Sequence, residues 1–502
     1  RAVSAVAQLL LQRFPGLLMR TTMTLSKALF AARRASVLAA AVLVSACADL
    51  DIANTNAPTV ETLTGSPSRD VMARAATGIF SNAYNDVAAM IQFYTIYGRE
   101  GYNLQGNDPR EIEEQISGPP DPTGRNSGLW TGQYSAIRTI NTYLDALDRA
   151  TGLSDEEKRA SAGMAKTMAA WHFARVAVRT GELGIPMDVN RPISAEPAPF
   201  VSFADALAAV SAMLDEAYAD LQAGGGSFPF SVGPGFEDFD SPDSFAQFNR
   251  ALAAKVLVWR ATFNNCAACW AQAQQALDAS FITDAGLPGS LGYGVYYGYS
   301  TSSGEPANPI SEPISSNRYW VHASIVEDAQ LRAGGEPDLR VTTKVMDAGR
   351  THSLSSPTGT LTGRYKPILY NDPSNPTQAN LGTDIPWIIN EELILLRAEI
   401  RWHNGNRQGA IDDINLIREH AGGLPPTTLT AASPDDDFIT ELLYNRLYSL
   451  MWSQGTRWID ARRYGRLNTL PIDRQGDYLY PNMIVPAAEC DARGMDAPCE
   501  PL

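Results

Sequence analysis

Cysteine, histidine and basic side chains are all scarce in this chain of 502 residues: five Cys, five His, and 40 Lys plus Arg against 55 Asp plus Glu. Each shortage narrows the function. The histidines (His172, His322, His352, His403 and His420) show no metal-ligand spacing. The excess of acid gives a formal charge of −15. Six of the basic residues and none of the acidic ones fall in positions 1–46, so the remainder carries −21. That balance argues against nucleic acid as a partner, because phosphate binding needs Lys and Arg. It argues equally against adsorption onto anionic lipid by charge alone. Long apolar runs are missing too: Ala35 to Ala46 is 12 residues, short of the ~20 that span a bilayer, and no later segment is long enough. No G-x-S-x-G, H-E-x-x-H or P-loop pattern occurs.

What is present near the N-terminus has the order of an export signal. After Met23 come Lys27, Arg33 and Arg34, then apolar Val37 to Val44, then Ser45-Ala46-Cys47. That is a basic region, a short apolar region and small residues at a cleavage point. Met19 or Met23 is the expected translation start. Val44-Ser45-Ala46-Cys47 resembles a bacterial lipobox, which implies a signal peptide over 1–46 and lipidation of Cys47. Four cysteines then remain, Cys266, Cys269, Cys490 and Cys499, an even number that reads as two disulfides in an exported chain. Local pairing, 266 with 269 and 490 with 499, is the economical arrangement, although spacing leaves the connectivity open. Cys266-Ala-Ala-Cys269 also matches C-x-x-C. A redox cysteine needs a helix N-terminus in a βαβ context, and here the motif joins two helices, which favours a structural bridge. A zinc site is disfavoured by the wider second spacing and by an oxidising compartment.

With 44% hydrophobic and 19% charged residues the chain is globular in composition, and most of it has helical periodicity. Ser66-Pro67 predicts a helix start, with helix continuing to about Tyr97. Ile137, Ile140, Leu144 and Leu147 repeat at helical spacing. Ser154-Asp155-Glu156-Glu157 has the capping-box pattern and opens a helix with Met164, Met168, Trp171 and Val178 on one face. Further stripes are Leu207 to Leu221, Phe248 to Trp259 after Ser241-Pro242, Ile389 to Ile400 before Gly405, and Ile411 to Ala421 before Gly422-Gly423. A last helix covers about Asp436 to Trp452. The fold class is therefore mostly α, with helix pairs of tetratricopeptide-like length. Long irregular segments interrupt it at 99–128, 223–244 and 281–382. A few short strands are expected within 281–382, for example near Gly363 to Leu369. Loops that long inside a compact protein are usually functional.

The ordered set "LDIANTNAPTVETL", "LWTGQYSAIRTINTYLDALD", "LSDEEKRASAGMAKTMAAWHFARVAVRTGELGIP", "NEELILLRAEIRWHNGNRQGAIDDINLIREHAGG", "QGTRWIDARRYGR" and "LYPNMIVPAAEC" resembles the SusD/RagB-like nutrient-uptake lipoproteins. The resemblance implies a single SusD-like body over 47–502, with an N-terminal part 47–280, a variable insertion 281–382 and a C-terminal helical part 383–502. It implies a non-catalytic outer-membrane lipoprotein, held by its lipid anchor and facing the exterior. Such a protein binds an oligosaccharide and hands it to a SusC-like, TonB-dependent β-barrel. No cofactor, metal or nucleic acid is implied. A helical-repeat scaffold that binds protein alone, or an exported hydrolase, are the alternatives.

Sugar rings stack their C–H faces on aromatics while their hydroxyls need Asn, Asp, Arg or Gln beside them. "YGREGYNLQGNDPR" supplies Tyr102, Asn103, Asp108 and Arg110 after the first helix, and "NRYW" supplies Tyr319 and Trp320. These six are the candidate ligand residues, with Tyr102 and Trp320 foremost, and "YGVYYGY" (Tyr293 to Tyr299) adds further aromatics. Packing of the same aromatics against the helical body is the competing role. Arg457, Arg462, Arg463 and Arg466 lie among Trp458 and Tyr464, where Arg more often clamps carbonyls and acidic groups than binds an anion. The acidic runs Asp412-Asp413 and Asp435-Asp436-Asp437 lack the geometry of paired catalytic carboxylates; the second sits at a helix start, where acids favour the dipole.

Overall fold

The computed structural model describes residues 63–502 except Pro109 and Ile193; Cys47 and the expected signal peptide lie outside the described residues. The described residues contain eleven helices of eight residues or more. They are α1 (Arg69–Ala83), α2 (Val87–Tyr97), α3 (Gly128–Leu147), α4 (Asp155–Thr180), α5 (Phe203–Gln222), α6 (Pro242–Phe263), α7 (Cys269–Asp278), α8 (Asn390–His403), α9 (Arg407–His420), α10 (Asp435–Leu450) and α11 (Thr456–Arg463). None is long and apolar enough to cross a membrane.

Local chemistry starts these helices. Ser154 Oγ accepts from Glu157 N while the Glu157 carboxylate accepts from Ser154 N, a closed capping box. Ser241 caps α6 with Pro242 in its first turn. Two expectations shift. The first helix begins at Arg69 with Ser68 as its cap, two residues after the predicted start. It also breaks before α2, at Asp86, whose φ is 61°. Asp86 accepts from Gln133 Nε2 at 3.3 Å, and a Cβ on Gly132 would fall 1.8 Å from the Asp86 carboxylate. The break is thus shaped by a neighbouring helix, which periodicity within 66–97 does not register.

Successive helices pack pairwise, α3 on α4, α4 on α5, α5 on α6, α6 on α7 and α8 on α9. The largest core cluster includes Met72, Ile137, Met168, Leu207, Leu252 and Trp387, so the stripes read from periodicity do meet one another. A second core joins α8, α9 and α10 around Ile394, Ile411, Ile414 and Phe438; the rings of Trp402 and Phe438 stack there at 4.0 Å.

Among the described residues eight strands form three antiparallel sheets. β1 (Gly101–Asn103), β5 (Tyr319–Val321), β7 (Gly359–Pro367) and β6 (Val345–Ser356) form one, in the order β1-β5-β7-β6. β2 (Ile185–Pro186) pairs with β3 (Phe200–Val201), and β4 (Gly294–Tyr297) with β8 (Ile385–Ile389). Strands therefore also occur outside 281–382, where none was expected. Pieces of two to five residues have too little alternation to be read locally; their pairing partner decides them.

The disulfides join Cys266 to Cys269 and Cys490 to Cys499, with Cα separations of 5.3 and 5.8 Å. The first closes the turn between α6 and α7.

Glu100 ties the sheet to the C-terminal helices. Its carboxylate accepts from Trp452 N at 2.8 Å, its second oxygen is buried without a hydrogen-bond partner, and its main-chain oxygen accepts from His322 N. Burial pushes this carboxyl up to about 7, against the opposing pull of the Trp452 N–H and Arg457. Because the folded value lies above the unfolded one, stability falls as pH rises between the two and stays reduced above pH 7. Glu100→Gln is expected to match the native protein near pH 5. By pH 8 it should be more stable by about 2–3 kcal/mol, read from urea unfolding at both pH values.

Candidate ligand-binding surface

The two segments nominated from sequence are brought together by strand pairing. β1 and β5 are in register with Tyr102 opposite Trp320 and Asn103 opposite Tyr319, although more than 200 residues separate them in the chain. Their apolar side forms a third core with Ile96, Leu104, Ile112, Ile116 and Leu361. Beyond β1 the chain leaves the sheet: Leu104 N still donates to Arg318 O, whereas Gln105, Gly106 and Asn107 are exposed.

Tyr102, Asn103, Tyr319 and Trp320 are all buried, at 3%, 1%, 0% and 0% exposure. The Tyr102 hydroxyl donates to Asp473 Oδ2 at 2.6 Å, and His322 Nε2 lies 3.1 Å from the other Asp473 oxygen. Burial and the adjacent Asp473 charge push the Tyr102 hydroxyl well up. Burial opposes ionisation of Asp473, yet its bonds to His322 and Tyr102 hold it below the usual carboxylate range. Trp320 donates through Nε1 to Asn317 O at 2.9 Å. Around its ring lie Lys366 Nζ at 4.4 Å, the Arg350 guanidinium at 4.9 Å and the His352 ring at 5.8 Å. Gly363 completes the enclosure, since a Cβ there would lie 2.5 Å from the indole. Lys366 is itself buried and donates to Tyr319 O and Ser316 O; burial, reinforced by Arg350, pushes its ammonium down to about 7. The Tyr319 hydroxyl donates to Gln92 Oε1. Asn103 Oδ1 accepts from Gln105 N. In this arrangement a ligand meets neither the Tyr102 nor the Trp320 ring face.

Asp108 and Arg110 are the members of the set that reach solvent. They form a two-pronged ion pair, Arg110 Nη2 to Asp108 Oδ2 at 2.8 Å and Nε to Oδ1 at 3.1 Å, with Arg110 54% exposed. The pair holds Asp108 below and Arg110 above their usual ranges. Arg125 approaches Asp108 at 3.9 Å and pairs with Glu111 at 2.7 Å. Beside this loop stands the β6–β7 hairpin, tied to it by the contact of His352 Nε2 with Leu104 O. The hairpin's outer side carries hydroxyl pairs, Ser353 with Thr362 and Ser355 with Thr360, each at 2.8 Å. Alternating carboxylate, guanidinium and hydroxyl groups suit a neutral polyhydroxylated ligand, which both donates and accepts.

A further groove lies elsewhere. Trp130, Tyr134, Arg138, Pro186, Pro197 and Arg493 help to line a concavity of about 440 Å³. Sequence reasoning missed it because its walls come from α3, the 186–198 loop and the C-terminal segment, three regions with no shared pattern. Trp130 is a packing residue in its floor, stacked on Phe200 at 5.9 Å. Within "YGVYYGY", Tyr297 is buried against Trp387 at 4.6 Å, while Tyr293 is 36% exposed. Among the described residues no group of three or more His, Cys, Asp or Glu is placed to hold a metal.

Residues 261–494 match the model of the SusD family. These residues are a SusD-family sequence, on a SusD-like fold. No curated protein matches the chain. Three solved structures place the fold. A SusD-like protein from Bacteroides fragilis NCTC 9343 matches with TM-score 0.62 and 13% identity, covering 85% of this chain and 95% of its own. A SusD superfamily protein from Parabacteroides distasonis ATCC 8503 matches with TM-score 0.62 and 16% identity, over 84% and 97%. Surface glycan-binding protein A from Bacteroides thetaiotaomicron matches with TM-score 0.60 and 13% identity, over 85% and 98%.

Within the SusD-family region, the arginine-rich motif is part of the body. Arg457 donates to Arg99 O, Arg462 to Val178 O, and Arg466 to the Asp436 carboxylate and Thr440. The Arg463 side chain lies between Glu399 and Asp460, with none of its surface exposed. The motif opens on Gly455, whose φ is 62° and where a Cβ would fall 1.9 Å from Tyr94 Cβ. Only glycine suits that turn, which seats α11 against α2.

Proposed function

We propose that this SusD-like chain is a non-catalytic, glycan-binding lipoprotein of the outer membrane. It is anchored by lipid on Cys47, faces the exterior, and passes its ligand to a SusC-like, TonB-dependent β-barrel. The likeness in fold to a protein named for surface glycan binding, extending over 85% of the chain, carries the reading. The lipobox resemblance and the SusD-family region support the anchor and the partner. The acidic runs that a hydrolase would need are engaged otherwise: Asp435 pairs with Arg407, Asp436 with Arg466, and Asp413 with Arg397 and Arg401.

On this reading Asp108 and Arg110 touch the glycan, with the exposed 105–107 loop and the hydroxyl-bearing hairpin beside them. Tyr102, Asn103, Tyr319 and Trp320 form the frame that holds this edge in place. The test is calorimetry against a panel of neutral and acidic oligosaccharides, with membrane pull-down of the lipidated protein. Binding of at least one oligosaccharide and recovery with a large β-barrel are expected. Asp108→Ala and Arg110→Ala should each weaken binding by about tenfold, corresponding to the loss of one charge-assisted hydrogen bond. Because both residues are at the surface, the melting temperature should barely move. Absence of glycan binding across the panel, with protein partners alone recovered, would favour a scaffold.

A further inference from the structure

A small cavity of about 20 Å³ lies where α2, α4, α6, α10 and the Gly455 turn meet. Its volume is enough for a single atom of water size. Three cationic side chains from three helices line it: Arg175, Lys255 and Arg446, exposed by 6%, 4% and 1%. None of the lining side chains is a carboxylate.

Two of the cations have their charge matched within the fold. Lys255 Nζ lies 2.8 Å from Glu392 Oε1, and Arg446 Nε lies 2.7 Å from Asp460 Oδ2. Arg175 forms no ion pair among the described residues; it donates through Nη2 to Asn85 O at 3.2 Å. Asp86 acts on it from beyond ion-pair distance, and burial holds that carboxyl above its ordinary range. Arg175 Nη1 and Arg446 Nη1 are both buried without a hydrogen-bond partner. A buried donor left unpaired is costly, more so when charged.

The acceptors on the lining side chains are the hydroxyls of Tyr94 and Thr456 and the amide oxygen of Gln454. Gln454 Oε1 already accepts from Lys255 Nζ at 3.0 Å, and Gln454 Nε2 donates to Trp387 O. Lys255 Nζ also sits 5.5 and 5.6 Å from the centres of the Trp171 and Trp259 rings, which supply apolar walls. A water would have to place two hydrogens among groups that mostly donate. A monatomic anion needs only donors and cations.

We infer that this cavity is a structural halide site, occupied by chloride held by Arg175, Lys255 and Arg446. The ion would join helices of the N-terminal half to the SusD-family region and complete the neutralisation of Arg175.

The mature, full-length body is crystallised with bromide replacing chloride, and its melting temperature is compared in sodium chloride and sodium gluconate at equal ionic strength. An anomalous bromide peak inside the cavity is expected, together with a melting temperature about 1–3 °C higher in chloride. Arg175→Met should abolish the difference between the two salts. The inference is overturned by bromide peaks confined to the protein surface. It is also overturned by equal melting temperatures in both salts, or by a chloride effect that survives in Arg175→Met. The bromide experiment uses the native side chains, so it decides the matter even if the variant fails to fold.

Discussion

Arg463→Ala is expected to lower the unfolding free energy by about 3–5 kcal/mol, the range for breaking a buried ion pair from one side. Arg463 has no exposed side-chain surface. It is paired through both terminal nitrogens with Glu399, which is equally buried, and donates through Nε to Asp460 at 2.7 Å. Asp460 is shared with Arg446, and Glu399 also accepts from the Tyr464 hydroxyl. Truncation leaves the Glu399 charge in the core with that hydroxyl as its remaining partner.

The pH dependence identifies the cause. In the native protein burial works against the Glu399 carboxylate, but Arg463 outweighs it and holds the group below the ordinary range. Its contribution is therefore present above the unfolded pKa and lost as pH falls through the folded one. Without Arg463, burial dominates and Glu399 takes up a proton on folding, so the deficit should shrink toward pH 4 and reach its full size near pH 8. Arg463→Lys should recover little, since an ammonium lacks the planar fork that spans both carboxylate oxygens. Arg463→Met combined with Glu399→Leu should recover more, because it removes both charges together. Urea unfolding at pH 4, 6 and 8 measures all of this. An equal deficit at the three pH values would assign the loss to packing.

Trp320→Ala is expected to cost about 3–5 kcal/mol, as for other large aromatic truncations in cores, while leaving glycan affinity of the folded protein within about twofold of native. The ring has 0% exposure and lies against Gly363, with Lys366 and Arg350 at its faces. Removing it opens the space between β5 and the hairpin and strips two cations of a π partner. Denaturant unfolding gives the stability. Calorimetry well below the variant's melting temperature gives the affinity. A large loss of affinity with little loss of stability would put the indole in the binding face instead, and the candidate surface would have to be redrawn around it.

Those two residues mark how far sequence carries. Arg463 sits in a motif whose composition favours a clamp, and the clamp is what the structure contains, because an arginine among aromatics in a buried helix has few other ways to satisfy its donors. Trp320 sits in a loop-rich stretch whose composition suggested an exposed aromatic. The same short segment becomes β5 only because β1 pairs with it from more than 200 residues away. A three-residue strand has no periodicity to announce which side chains turn inward.

The sequence alone determined the helical class, several helix boundaries, the capping box at Ser154 and the faces that build the main core. These follow from interactions within a turn or two of the chain, and their signals are local. Only the tertiary structure decided that Asp86 breaks the first helix, that Tyr102 and Trp320 meet across a sheet with their rings enclosed, and that Asp108 and Arg110 remain in solvent. It alone brought Arg175, Lys255 and Arg446 around one small cavity. Burial and charge compensation depend on which distant residues arrive at the same place, and that is set by the packing of helices, each of which is specified separately.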